Sequence, residues 1–528
     1  MRLAVGILRA TALLGASSVT VALVGFLKNI LAAYFFGTSG AMDAYLLALV
    51  IPDLTMHLAG TGAFNFIPLF ASERARSEKV AWSSAGKLLT YWLFLLAGAI
   101  AIASIATAPL IRVVGPGLEP GLRETTVDMT RLLLWMAAPV GAARLLAMVL
   151  YAEKRFLASA SSEAIFQIVS TAYFVLFHSW GVASLVWGQI IGGAVQLLVI
   201  GVALRNRRHQ IRPDLDFRSE PVAKAIRLSL PVYVGNVAAK LNNVVNRAFA
   251  SLLGVGAVSS LQYAALLVES PVRILASSLT AALFPFLSEQ FASKEIERSR
   301  DAVAQAIRTT TVLFLPLAVF MFVAATPLVQ ALFERGSFDA RSTELTVGAL
   351  QILAPAVLAL GLNELLGSVF HSRQEPRVPL TAGLARVTLN VLLCALLSPV
   401  LGHRGIALAL TVSAYFKLGV LWMHLRGFLG SDRTRELLKD AARSLGAGAT
   451  TLALAWFAAE GLERFVQGLA PFRLALVALT VGAGYVAALR LFCPEELSRY
   501  RTALRALYRK TASLNPSGFS WARPEEGK

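Results

Sequence analysis

The feature that most constrains this chain is a series of apolar runs, each near the length of a membrane span, that recur along almost its whole length. A helix of about 20 residues crosses the roughly 30 Å hydrocarbon core of a bilayer. The chain is 56% hydrophobic and 15% charged, whereas a soluble domain carries about 25% charged residues. These runs predict an all-α, polytopic integral membrane protein.

About fourteen runs are long enough to be read as spans. The predicted spans are 10–36, 41–71, 88–111, 130–151, 159–178, 182–204, 228–253, 258–287, 304–326, 344–370, 378–400, 404–424, 441–460 and 471–492. The first run resembles a signal peptide in its position, but its apolar character continues past any plausible cleavage site. We therefore interpret it as a retained span.

Basic residues follow the even-numbered spans, and the turns after odd-numbered spans are poor in them. Cytoplasmic loops of membrane proteins carry the excess of Lys and Arg, so this alternation predicts that both termini lie in the cytoplasm. The net charge of +18 is then explained by loops that face anionic membrane lipids. It does not indicate a nucleic-acid partner.

An internal repeat is visible in the spacing of glycine and proline. Gly37 and Pro68 are 31 positions apart, as are Gly254 and Pro285 (68 − 37 = 285 − 254 = 31). Chance agreement of a few small residues is the alternative. If the match is a repeat, spans 1–2 and 7–8 are copies in the same orientation, which predicts two six-helix lobes with the substrate site between them.

The repeat predicts five regions. They are an N-lobe at 1–204, a basic cytoplasmic linker at 205–227, a C-lobe at 228–425, two further spans within 426–492, and a cytoplasmic tail at 493–528 that begins amphipathic and ends polar.

Three segments resemble the MurJ (MviN) family, the lipid II flippases of the MOP exporter superfamily, and they occur in that family's order. They are the opening segment at 25–68, which includes Ile51-Pro52 and Gly62-Ala63-Phe64, the LFERGSF segment at 332–338, and the LGHRGIALA segment at 401–409. The resemblance implies MATE-like lobes, a bacterial inner membrane location, and a lipid-tail groove formed by the last two spans.

Several ionisable side chains lie inside the predicted spans. Each costs roughly 2.5–3.5 kcal/mol at the bilayer centre, so the default interpretation is a polar pathway. We predict that five of these residues line a cavity that binds the diphosphate and headgroup of the substrate. They are Lys28, His57, Lys240, Arg247 and Arg273. Snorkelling or a pair with Asp43 is the alternative for Lys28. Met56 and His57 stand where the family has paired arginines, so the predicted cavity is divergent.

Two acidic residues are predicted to act in gating or in salt bridges. Asp43 opens span 2, where a carboxylate could instead cap its own helix. Glu269 precedes Arg273 by four residues, which also suits a purely structural ion pair. Glu364 and Lys417 also fall within predicted spans, and the sequence leaves undecided whether they pair with each other between helices.

A weak ion site is suggested by the resemblance alone, because some family members bind sodium between spans 7, 11 and 12. Asn246, Asn390 and Thr411 fall near that region, but the acidic ligands expected there are not evident. The alternative for the asparagines is hydrogen bonding between helices.

No enzyme signature is present: the sequence has no P-loop, no metal-ligand histidine cluster and no nucleophile motif. We therefore expect a non-enzymatic, cofactor-free, monomeric transporter that draws on a sodium or proton gradient, the membrane potential or product removal. The predicted activity is alternating-access transfer of a polyprenyl-diphosphate-linked glycan, lipid II. The alternatives are another lipid-linked oligosaccharide for exopolysaccharide synthesis, a MATE-like drug exporter, and a non-transporting scaffold.

Overall fold

The computed structural model describes residues 2–60, 66–206, 212–293, 295–465 and 470–494, and within them it contains α-helices and no β-strand. The helices are α1 (Arg2–Phe36), α2 (Gly40–Ala48), α3 (Val50–Gly60), α4 (Phe66–Arg74), α5 (Glu78–Ile105), α6 (Thr107–Val114), α7 (Pro120–Ala152), α8 (Phe156–Leu176), α9 (Ala183–Ala203), α10 (Glu220–Ser251), α11 (Ala257–Ala292), α12 (Ile296–Val323), α13 (Ala325–Leu332), α14 (Ala340–Leu353), α15 (Ala356–Ser372), α16 (Arg377–Leu401), α17 (His403–Leu429), α18 (Ser431–Phe465) and α19 (Ala470–Phe492). The predicted amphipathic segment of the tail begins at residue 495 and lies outside the described residues.

The prediction of an all-helical membrane protein is confirmed. Among the described residues, 9 helices are long and apolar enough to cross a membrane, and the pair α14 and α15, bent by 51°, makes a tenth. Each predicted span coincides with a helix or a broken helix. The predicted count is not confirmed by this criterion, because spans 2, 5, 7 and 13 fall on helices that are broken or do not pass it.

Span 2 is broken for a reason that the sequence contains. Proline has no backbone N–H, so Pro52 cannot donate to the carbonyl of Ala48 four residues earlier. Ala48 is the residue at which α2 ends, and α3 begins at Val50. The break places short helix ends at membrane depth, where the surrounding protein must cover their free backbone groups.

Helices close in sequence pack into two halves, which we define as the N-half (α1–α9) and the C-half (α10–α17). In the N-half, α8 packs against α9 and α1, and α7 packs against α9. In the C-half, α16 packs against α17, and α15 packs against α11, α12 and α17. The turns that follow the first helix of each half both contain a glycine with positive φ, at +55° for Gly37 and +93° for Gly254. This agrees with the repeat seen in the sequence.

The last two helices attach to the C-half through charge. Arg308 on α12 donates to Asp440 on α18 at 2.8 Å, and Arg433 on α18 lies 2.8 Å from both Asp301 and Glu297 on α12. Beyond this network, α18 and α19 pack against each other and against α12.

The segment between the halves is tied to α5. Lys87 donates to the Asp216 carboxylate at 2.7 Å, and the Asp214 backbone N–H donates to the Thr90 hydroxyl at 3.2 Å. The hydrogen bond from the Lys87 ammonium holds the pKa of the Asp216 carboxyl below its ordinary value.

Candidate functional site

Asp43 joins the two halves by capping a helix that is not its own. This residue of α2 is 4% exposed. Its two carboxylate oxygens accept from the backbone N–H groups of Gly256 at 2.6 Å and Ser259 at 2.8 Å, at the start of α11. A helix N-terminus favours a negative charge and has unsatisfied N–H donors. Ser39 caps α2 itself, accepting from Met42, so Asp43 does not serve its own helix.

Further bonds between the halves surround this carboxylate. The Tyr263 hydroxyl donates to the Gly37 carbonyl at 3.2 Å, and the Ser337 N–H donates to the Tyr34 carbonyl at 2.8 Å. We call this group, with Asp43, the inter-half junction. Its Tyr263 ring is fully buried, and Phe333 and Phe338 of the LFERGSF segment lie against it. The junction therefore closes the end of the molecule that carries the 37–40 and 252–256 turns.

A second contact between the halves lies deeper. Lys240 on α10 donates to the Asp53 carboxylate on α3 at 2.7 Å. The His57 Nδ1 atom lies 2.8 Å from the Asp53 carbonyl oxygen and 3.3 Å from its carboxylate. The structure thus brings together Lys240 and His57, both predicted as site residues, around an acid that sequence reasoning did not select. The available signal was an acidic residue directly after Pro52 and one turn before the histidine.

Arg247, also predicted as a diphosphate ligand, is held by protein groups as well. Its Nη1 donates to the Leu46 carbonyl of the N-half at 2.6 Å, and its Nη2 donates to the Gln262 side chain at 2.9 Å. Lys28 differs from it, because it makes no hydrogen bond or ion pair with any residue that the structure describes. Eight residues separate it from the end of α1, a depth of about 12 Å.

Glu269 and Arg273 form the pair that their spacing suggested, with 3.6 Å between Arg273 Nη2 and Glu269 Oε2. Their side chains are 56% and 79% accessible, although both lie inside α11. Charged side chains at membrane depth face water or other polar groups rather than lipid tails. Glu269 also interacts electrostatically with Arg247, Lys240 and Arg386, so these charges share one polar region. Arg386 was not among the predicted residues.

The residues of the suggested ion site form neutral hydrogen bonds. Asn390 on α16 donates to the Asn246 side-chain oxygen on α10 at 2.7 Å, and the Cys394 thiol lies 3.7 Å from the same oxygen. The Thr411 hydroxyl donates to the backbone carbonyls of Ile352 and Ala407. Within the described ranges there is no cluster of three or more His, Cys, Asp or Glu side chains that could hold a metal ion.

The arrangement as a whole suits binding and conformational change. One end of the interface between the halves is closed by neutral and charge-assisted hydrogen bonds, and a group of cations lies at mid-depth beneath it. Such cations attract a phosphate or carboxylate group. A switch between two packings of the halves would expose this region to one end or the other.

Comparison with known proteins gives the family context. A family described as "Lipid II flippase MurJ" matches residues 32–476. A probable lipid II flippase MurJ of Rhizobium meliloti (strain 1021) is 28% identical over 544 residues, covering 98% of this chain and 98% of the relative. A lipid II flippase MurJ of Burkholderia cenocepacia is 26% identical over 414 residues, which is 76% of this chain and 80% of the relative.

Solved structures show the same architecture. A structure of the lipid II flippase MurJ in an inward closed conformation superposes with a TM-score of 0.78 at 18% identity, covering 92% of this chain and all of that one. An inward-facing MATE family multidrug transporter of the MOP superfamily superposes with a TM-score of 0.64 at 17% identity, over 77% of this chain and 95% of that one. These likenesses establish the fold that the two halves form.

Proposed function

Since this chain belongs to the MurJ lipid II flippase family, we propose that it moves lipid II, a polyprenyl-diphosphate-linked peptidoglycan precursor, from the cytoplasmic to the outer leaflet of the bacterial inner membrane. The observation that carries the proposal is the combination of a sealed inter-half junction at Asp43 with Lys28 at mid-depth, which has no partner among the described residues. A sealed end and an uncommitted cation are what an alternating-access carrier of an anionic headgroup requires.

Orientation follows from the loop charges. With both termini in the cytoplasm, the turns at 37–40 and 252–256 face the outside. The inter-half junction is then an outer gate, and the described conformation is closed to the outer leaflet. Residues 1–204 and 228–425 act as the two rocking lobes, residues 205–227 link them, and the pair of helices within 426–492 supports the prenyl tail.

The diphosphate is proposed to meet Lys28 first, because Lys240 and Arg247 already have protein partners. Lysine binds phosphate as a point charge. The diphosphate then competes with Asp53 for Lys240, while His57 and Arg273 contribute to the polar surroundings of the headgroup. A ligand shifts a conformational equilibrium only through differential affinity, and replacement of Asp53 by the diphosphate supplies that difference.

Transport by this protein is proposed to need no covalent chemistry and no second subunit. Asn390 donates to the Asn246 side-chain oxygen, while its own side-chain oxygen is buried without a partner among the described residues. Because Asn246, Asn390 and Thr411 supply no carboxylate to balance a cation, this group supports a transport cycle that does not use sodium at this position. A proton gradient, the membrane potential and removal of the product on the far side remain as the energy sources that the sequence predicts.

Complementation tests the proposal. A cell depleted of its own lipid II flippase is supplied with the wild type, with Lys28→Ala, or with Lys79→Ala as a control, since Lys79 is an exposed cation on α5. We expect growth and lipid II exposure in the outer leaflet with the wild type and the control but not with Lys28→Ala. Failure of a well-inserted wild type would overturn the lipid II assignment in favour of another lipid-linked glycan. Rescue by Lys28→Ala would remove Lys28 from the pathway.

A further inference from the structure

Four ionisable side chains from four helices of the C-half form a group that the family assignment does not explain. They are Glu269 on α11, Glu364 on α15, Arg386 on α16 and Lys417 on α17, and we call them the C-half charged cluster. Their helices pack together, α15 against both α11 and α17, and α16 against α17. Arg386 interacts electrostatically with Glu269 and Glu364, and Lys417 interacts with Glu364 and Arg386.

Three members of the cluster lie at a similar depth. Arg386 is 15 residues before the end of α16 (401 − 386) and Lys417 is 14 residues after the start of α17 (417 − 403), which places both about 21–23 Å from the outer-gate end. Glu269, 13 residues beyond Gly256 (269 − 256), lies at about 20 Å from the same end. These three charges therefore sit well inside their membrane-spanning helices, where ionisable residues are a mark of a substrate pathway.

The cations of the cluster are uncommitted. Arg386 and Lys417 form no hydrogen bond with any residue that the structure describes, and no carboxylate oxygen of those residues lies within 4.0 Å of their charged nitrogens. Glu364 likewise has no hydrogen bond or ion pair among the described residues. The Arg386 Nε atom is buried and has no hydrogen-bond partner among the described residues. A buried donor left unsatisfied is costly. Arg247, by contrast, has both ends of its guanidinium satisfied by the protein.

The balance of charge indicates the kind of ligand. Two acids lie beside the two cations, so a diphosphate placed here would also face carboxylates. Glu269 is paired with Arg273 at 3.6 Å, which leaves Glu364 as the acid of the cluster without an ion pair among the described residues. A peptide segment that carries one carboxylate and one free amino group would find a complementary partner for each. We propose that the C-half charged cluster binds the zwitterionic peptide part of the lipid-linked headgroup, with the peptide carboxylate on Arg386 and Lys417 and the amino group on Glu364.

This inference rests on the proposed function, and it makes the cluster a specificity site for peptide-bearing lipids. The test uses two lipids with the same prenyl diphosphate and sugars: lipid II with its peptide, and the counterpart without the peptide. Binding of each is titrated to the purified full chain, and transport of each is measured in vesicles. The variants are Arg386→Gln, Lys417→Gln, the conservative Arg386→Lys, and Arg435→Gln as a control that removes an exposed cation on α18.

We expect the wild type, Arg386→Lys and the control to bind the peptide-bearing lipid more tightly than the peptide-free one. In Arg386→Gln and Lys417→Gln, affinity for the peptide-bearing lipid should fall about tenfold or more, because each substitution removes one partner of a charge pair that is shielded from water. Affinity for the peptide-free lipid stays unchanged in these variants, which also shows that they are folded.

Two results would overturn the cluster's role. The first is equal affinity of the wild type for both lipids. The second is an equal loss of affinity for both lipids in the glutamine variants, because that result would assign the cations to the diphosphate. A preference for the peptide-bearing lipid without transport of either lipid would overturn the proposed function and support the cluster as a binding site. The two ideas therefore fail separately.

Discussion

The Lys240 ammonium on α10 lies 2.7 Å from the Asp53 carboxylate on α3, so a salt bridge connects the two halves below the inter-half junction. The side chains are 30% and 43% accessible, which leaves room for an anionic ligand to approach. A cation that the sequence predicts for the substrate is therefore occupied by the protein in this conformation, and the proposed binding of a diphosphate to Lys240 requires that it replace Asp53.

The coupling between these two residues is measurable by a double-mutant cycle. Lys240→Gln and Asp53→Asn should each lower the stability of the purified protein, and the double variant should lose less than their sum. Because both side chains are partly accessible, we expect a coupling free energy of about 0.5–1 kcal/mol. Thermal unfolding in detergent gives the values. Strict additivity would show that the contact does not stabilise the described conformation.

Removal of the Asp43 carboxylate should open the outer gate. Asp43→Ala leaves the first N–H groups of α11 without a cap, which costs about 1–2 kcal/mol. Ser39→Ala, a matched control, removes the cap of α2 and leaves the contact between the halves intact. The reporter is Ser260→Cys, at a position with 0% exposure, probed with a membrane-impermeant thiol reagent.

The rate at which the reagent labels Ser260→Cys from the outside should rise when Asp43→Ala is also present. It should stay low when the reporter is combined with Ser39→Ala or with no other change. If both cap variants were labelled to the same extent, general loosening rather than the gate would be responsible.

The charge of Lys28 should matter more than its shape. In purified protein we expect Lys28→Gln to reduce lipid II affinity about tenfold with unchanged thermal stability, because the structure gives Lys28 no described partner to lose. Lys28→Arg should retain or improve affinity, since a guanidinium binds phosphate bidentately. Lys79→Gln is the control for loss of an exposed cation. A fall in stability equal to that of a core variant would instead give Lys28 a structural role.

Sodium should have no specific effect on the wild type. The Asn246 oxygen accepts from Asn390 and has the Cys394 thiol beside it, so no carboxylate is present in this group to balance a cation. Exchange of sodium for potassium should leave the thermal midpoint and the transport rate unchanged. Cys394→Asp supplies a charge, and a midpoint that rises with sodium in that variant alone would confirm that charge is what the site lacks. Sodium stabilisation of the wild type would contradict this prediction.

The linker contact should depend on pH in one direction. Lys87 lowers the pKa of Asp216 in the folded protein, so the contact contributes stability above the unfolded pKa of about 3.9 and loses it as pH falls through the lower folded pKa. The rate of limited proteolysis of the linker should therefore stay constant between about pH 5 and about pH 8 and rise only in stronger acid. Asp216→Asn should be cut faster than the wild type at neutral pH, match it in strong acid where the wild type has lost the contact, and show no such acid step.

Much of the fold was predictable because a bilayer restricts backbone structure. Apolar runs must be helical there, since unsatisfied backbone groups are too costly in hydrocarbon, and the spacing of Gly37 and Gly254 already indicated the repeat. Span counting was less secure. Span 2 breaks near Pro52, and the chain bends between α14 and α15, so a hydropathy window does not reproduce every span.

By itself, the sequence determined the membrane class, the helical halves, the family segments and the presence of cations inside the spans. The tertiary structure decided which of those cations are available. Lys240 donates to Asp53, which is 187 positions away along the chain, and Arg247 donates to the Leu46 carbonyl, which is 201 positions away. No local pattern encodes such pairing. Asp43 caps α11 from 213 positions away. Hydrogen bonds form at short range in space, so only the packing of the halves selects the partners.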